Sequence, residues 1–302
     1  MDIIRPRLTD YHGIHKNQAD LDFAIQFFDE DIPLYVDPFL LWKSPSQQDN
    51  ALYTTITNSF NHLNYLIKKK QEDEALSILI DISECHEVGL GVSKTRKGTK
   101  ISEKQAQDIL SLFKDIPEYS QFGFTHFEII QLYISGISKD RISDITCNYL
   151  KSFLIDYTIE QCEINKIPTE GVILDSIYNY KTNKLDTNQK VYLPVNPLTK
   201  EPLIFTPKRW LRFNTWINYE DYFQKYCPRD EIFNPDEPEE RVKVLNFNRE
   251  NYGTIEGYIE YKTKASENCK NDPLFSQIPI LSAKRKLSQI LKLNTGKEHG
   301  AD

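Results

Sequence analysis

Alternation marks the first ordered stretch of the chain. In "LDFAIQFF" (21–28), Phe23, Ile25 and Phe27 stand at every second position, the period of a strand with one buried face. The acidic "DED" then turns the chain into the apolar run "IPLYV", and the two runs together predict an N-terminal β-hairpin. Asp37-Pro38 ends it: proline suits the first position of a helix, and Asp37 suits the N-cap.

The period then changes to that of a helix. Between Asp49 and Lys70, Leu52, Ile56, Phe60, Leu63 and Ile67 recur three or four apart, and "EDEALSILIDI" (72–82) predicts a second helix. "SEKQAQDILSLFKDI" predicts a third, with Ser102 as cap and Gln105 three residues on in a capping box. The longest helical stripe, Ile145, Tyr149, Phe153, Ile159 and Cys162, runs until Pro168 stops it. Beyond it "GVILDSIYNY", "KVYLPVN" and "EPLIFTP" are short β-branched and aromatic runs that predict a small antiparallel sheet. Aromatic-rich helices resume at Trp210. "IEYK" (259–262) has the Glu-x-Lys spacing of many restriction-type nucleases, but its surroundings have helical periodicity, and a surface helix is expected.

The class is α+β, predominantly helical. The pattern divides into a helical α+β core at 1–228 and a helical C-terminal region at 229–302, which holds the acidic linker "RDEIFNPDEPEER" and a polar tail expected to be disordered. One continuous domain is favoured over two.

Composition narrows the setting. The 33 Phe and Tyr residues supply a sizeable core. No apolar run reaches the ~18 residues of a membrane span, and the N-terminus lacks a secretory pattern, so a cytoplasmic protein without a membrane partner is expected. The five cysteines are scattered and odd in number, with no CxxC pair. That excludes a zinc ribbon or disulfide framework, and Cys147 and Cys162 read as buried apolar residues.

A net charge of −7 argues against nucleic acid as a partner until its distribution is considered. Residues 93–100 hold Lys94, Arg96, Lys97 and Lys100 with no acid, beside glycines 89, 91 and 98. Glycine lets several N–H groups turn toward one anion, so these four side chains are candidate nucleic-acid contacts. The same composition also serves a plain solvated connection. Upstream, Asp81, Glu84, His86 and Glu87 cluster, and Glu84 and Glu87 are candidate ligands for Mg2+ or Mn2+. In "DRISDITCN" (140–148), Arg141 and Asp144 join Glu87 as candidate catalytic residues, with Asn148 on the face of Asp144. The structural alternative has Ser143 or Asp140 capping the helix and Arg141 pairing with a nearby acid. His12, His15, His62 and His126 have no evident mates and read as ordinary polar residues.

"YVDPFLLWKS" (35–44), "DRISDITCNYLKSFLIDYTIEQC" (140–162) and "VYLPVN…EPLIFTPK" (191–208) resemble segments of a poorly characterised group of bacterial proteins encoded in antiviral defence islands. The resemblance implies a role against phage or foreign DNA beside a protein partner from the same operon; it assigns no residues. Three readings follow: a metal-dependent nuclease-type effector, a non-catalytic accessory subunit that binds nucleic acid or a partner, and a protein-binding component that uses its aromatic C-terminal half.

Overall fold

A computed structural model describes residues 7–96, 98–234 and 238–269. Its helices are α1 (Leu8–Tyr11), α2 (Pro38–Trp42), α3 (Gln47–Lys68), α4 (Glu72–Asp81), α5 (Glu103–Asp115), α6 (Pro117–Phe122), α7 (Lys139–Tyr149), α8 (Lys151–Asn165), α9 (Tyr219–Lys225), α10 (Arg229–Ile232), α11 (Arg241–Glu250) and α12 (Gly253–Cys269). The strands are β1 (Tyr35–Val36), β2 (Glu170–Asn179), β3 (Lys184–Leu193) and β4 (Leu211–Arg212), in two antiparallel pairs, β1 with β4 and β2 with β3. The fold is α+β with helices dominant. Among the described residues no helix is long and apolar enough to cross a membrane.

The central helices follow from their local sequence. Asp37 caps α2 by accepting the Phe39 N–H, with Pro38 at the first turn. The α3 stripe buries Ile56, Phe60 and Leu63 against α2, α4, α5 and α7. Ser102 and Gln105 form the full capping box of α5. Ser102→Ala should lower stability by ~1 kcal/mol, because the Gln105 N–H loses its side-chain acceptor; a urea midpoint unchanged from wild type would contradict it.

The predicted long helix is two helices, α7 and α8, separated at Leu150 (φ −98°, ψ 8°). The break separates two burial patterns: α7 is buried continuously from Ile142 to Tyr149, while α8 presents one side and carries Lys151 inward. Helix α7 also starts earlier than expected, after Ser138, so Ser143 lies inside it and accepts the Val36 N–H at 2.9 Å.

The N-terminal hairpin is not formed. Phe23 bridges Pro207, Phe27 bridges Arg7, and Tyr35–Val36 pairs with Leu211–Arg212. The reason is burial on both faces. Phe23, Ala24, Ile25, Gln26, Phe27 and Phe28 are all enclosed, whereas a two-stranded hairpin would leave one side in water. Phe23 stacks on Phe205 at 4.3 Å in a second, smaller core with Leu8, Leu21 and Leu203.

Of the three short runs expected in the small sheet, the first two form β2 and β3, in register from Glu170 opposite Leu193 to Asn179 opposite Lys184. The third turns back on the end of the second run, past β3, through the Val195–Pro202 bridge and the Leu203 N–H donated to the Pro194 carbonyl, and adds no strand to the sheet. Pro202 and Pro207 remove N–H groups, and two further donors go elsewhere: Ile204 N–H to the Glu87 carbonyl and Phe205 N–H to Thr158 Oγ1.

The described residues beyond 228 join the main core. Val244, Ile255 and Tyr258 belong to it, and Asn248 donates to the Leu132 carbonyl at 2.7 Å. "IEYK" is helical as expected, and Glu260 and Tyr261 face outward. Lys262 turns in, 2.7 Å from Asp221 and over the Trp216 ring. Cys85, Cys147 and Cys162 are buried thiols. The tail expected to be disordered lies outside the described residues.

Candidate functional site

The glycine-basic loop leaves the 3-10 turn at His86–Val88 through Gly89 (φ +57°) and Gly91 (φ +125°). Glycine is needed at both for backbone angle and for space. A Cβ at Gly89 would overlap the Arg96 guanidinium, and one at Gly91 would press on Asp140. The loop is packed down, with Gly89 accepting the Ile32 N–H and Ser93 the Asp31 N–H.

Arg96 is buried within this loop. Its guanidinium donates to the carbonyls of Phe27 (2.9 Å), Glu87 (3.3 Å) and His86 (3.4 Å), so it fastens the loop to two other segments. Lys100 pairs with Asp81. Lys94 is exposed, and Lys97 lies outside the described residues.

Glu84, Arg141 and Asp144 are brought together. Arg141 Nη1 lies 3.0 Å from Glu84 Oε2 and 3.3 Å from Asp144 Oδ2, and it donates to the Ser83 carbonyl; Nη2 donates to Thr99 O at 2.6 Å. Asn148 donates to the carbonyls of Ile82 (2.9 Å) and Glu84 (2.8 Å), which fixes the strand of chain that carries Glu84. A Cβ at Gly98 would overlap the Glu84 carboxylate, so the loop lies directly over this acid.

Two further acids, Asp31 and Asp140, face Gly91 from the same side. Burial, with the charges of Asp140 and Glu84, pushes Asp31 up to about 7 against the pull of Arg96. Burial, then Glu84 and Asp140, raises Asp144 well above the ordinary carboxylate range despite Arg141. Asp140 is raised by burial as well, and then by Glu84. Four acids thus crowd two guanidinium groups.

Glu87 belongs to a different pair. It is buried against Lys151, with Nζ 2.9 Å from Oε1, while the Cys85 thiol approaches Oε2 at 3.6 Å. Burial alone would push Glu87 up, but the Lys151 ammonium and His86 pull harder and hold it at about 2. For Lys151 burial opposes the charge, and Cys85 and Glu87 outweigh it, so its pKa rises. Glu84 and Glu87 therefore turn to different partners, unlike the shared ligand pair expected. Among the described residues no three His, Cys, Asp or Glu side chains are placed to hold a metal ion.

Residues 13–218 match the profile of a domain of unknown function, DUF8370. The chain belongs to the DUF8370 family. Comparison with curated proteins and with solved structures gives no match. The DUF8370 region contains the whole loop, its four acids and the Glu87–Lys151 pair, and it ends just before α9.

Sequence reasoning missed three groups inside the DUF8370 region. Asp31 looked like part of a turn, and Lys151 like one polar residue in an amphipathic helix. His126, read as an ordinary polar residue, is buried and bonded through Nδ1 to Tyr53 and Glu128. Only the third had a local signal, since Glu128 follows two residues later.

Proposed function

We propose that this DUF8370 protein is a nucleic-acid-directed component of a bacterial antiviral defence system, acting in the cytoplasm beside a protein partner from the same operon. Its leading chemistry is phosphodiester hydrolysis assisted by Mg2+ or Mn2+. Asp31, Glu84, Asp140 and Asp144 would supply the ion's ligands after closing together, since no three of them are placed on one ion as they stand, and Arg141 would offset charge on the phosphate. The supporting observation is the crowding of four carboxylates, among which burial and then the charges of Asp140 and Glu84 raise Asp31 to about 7 against Arg96. A divalent cation relieves such repulsion and needs the ionised acids.

The sign of the pH dependence follows. The folded protein disfavours ionised Asp31, so the associated stability is complete below 3.8 and is lost as pH rises through about 7. Mn2+ should therefore raise the melting temperature more at about pH 8 than at about pH 5.5. Supercoiled plasmid and single-stranded RNA incubated with Mn2+ should yield product, and Asp144→Asn should abolish both effects while keeping the fold. No thermal response to Mn2+ at either pH, together with no product, would reject this chemistry.

The accessory-subunit reading is favoured by a different observation. Arg96 is buried against backbone carbonyls, so the exposed cations among the described loop residues are Lys94 and Lys100, and Lys100 is paired with Asp81. Retention of nucleic acid that weakens with salt, without cleavage, would select that reading.

A further inference from the structure

A cavity of about 420 Å³ lies between α6, the segment that follows it and α12, apart from the elements that carry the acids above. That volume suits a small organic molecule. Trp42, Tyr119, Phe122, Ile129 and Ile259 supply its apolar lining, and Phe122, 75% exposed, stands at its mouth. Its ionisable lining groups are Glu118, Glu256 and His126.

The bonds around His126 determine which ring nitrogen carries a proton. Tyr53 Oη donates to the Thr125 carbonyl at 2.9 Å, so its oxygen is left to accept from Nδ1 at 2.7 Å. Glu128 Oε1 accepts from the same nitrogen at 3.1 Å. Nδ1 is therefore the N–H, and in the neutral ring Nε2 presents a lone pair. No described residue bonds to Nε2, although His126 is only 4% exposed. Glu118 Oε2 is likewise buried without a partner. The hydroxyl of Tyr119 is taken by Tyr133 at 2.8 Å. The lining thus offers two carboxylates and an imidazole lone pair, with neither lysine nor arginine among the described residues that form it.

With one Glu118 oxygen buried and unpartnered and Glu256 at the exposed rim, the lining calls for a donor-rich, positively charged occupant, and aromatic walls favour a flat one. We infer that this cavity is a binding site for a small planar organic cation, whose N–H groups meet Glu118, Glu256 and His126 Nε2 while its apolar body lies against Trp42 and Phe122. An anion of the same shape would lie against two carboxylates and is disfavoured. The site is independent of the proposed hydrolytic chemistry, since none of its lining residues is one of the four acids.

Benzamidine tests this, with benzoate as the isosteric anion. Titrated into the full-length protein, benzamidine should saturably quench tryptophan fluorescence and shift the ring nitrogen resonances of His126, and benzoate should do neither. The Glu118→Gln/Glu256→Gln variant keeps the shape of the cavity and touches no core residue, so it should fold and bind benzamidine about tenfold more weakly. The inference is overturned by absence of saturable benzamidine binding, by benzoate binding equally well, or by undiminished affinity in the double variant.

Discussion

Glu87→Ala destabilises the protein by about 3–5 kcal/mol, and Lys151→Met does so by a similar amount. Each change strands one charge in a site closed to water: the two groups lie 2.9 Å apart with only 5–7% of either side chain exposed. The Glu87→Ala/Lys151→Met double variant restores much of the loss, because removing both charges together leaves none unpaired. Urea denaturation of the four proteins measures this coupling, and single variants that each cost under about 1 kcal/mol would refute it.

The pair also sets an acid limit. Glu87 sits at about 2 against an ordinary 4.5, so its contribution is complete above 4.5 and disappears as pH falls toward 2. Lys151 is raised, so its share persists through the ordinary lysine range and is lost only above it. Loss of activity in Glu87→Ala would therefore report unfolding, which makes Asp144→Asn the better probe of catalysis.

Arg96→Ala removes the donors to three carbonyls and should cost about 3 kcal/mol, the order of hydrogen bonds to a charged group left unmade. In a chain of this size that lowers the melting temperature by several degrees, at about 2–4 °C per kcal/mol. Arg96→Lys should rescue little, since one ammonium cannot span carbonyls that the planar fork reaches at 2.9–3.4 Å. A role in gripping nucleic acid predicts the opposite outcome: unchanged melting, weaker binding and a salt slope smaller by about 1. Thermal melts and salt-dependent binding on the same variant separate the two.

Features encoded within a few residues were legible. The Ser102–Gln105 box, the Asp37 cap before Pro38 and the α3 stripe depend on neighbours along the chain, and each stands where the pattern puts it. Pairings across long stretches were not. The alternation at Phe23–Phe27 is that of a strand, but nothing nearby reveals that Pro207 and Arg7 are its neighbours or that both faces are enclosed. The site divides in the same way. Arg141 beside Glu84 and Asp144 was foreseen as a pairing of nearby charges, yet Glu87 gave no sign of a lysine 64 residues downstream. Arg96 shows a deeper ambiguity, because a guanidinium looks the same in sequence whether its acceptors are phosphates or backbone carbonyls.

Gln26 carries a consequence for how the chain is made. Its amide donates to the Val88 carbonyl at 2.8 Å and to the Ile204 carbonyl at 2.7 Å, joining three stretches that leave the ribosome far apart in time. Strand β1 likewise waits for β4, the partner of Tyr35 being Arg212. A nascent chain that has not yet reached residue 207 holds Phe23, Ile25 and Phe28 without the segment that encloses them, so its early sections depend on delayed completion and are sticky in the interval.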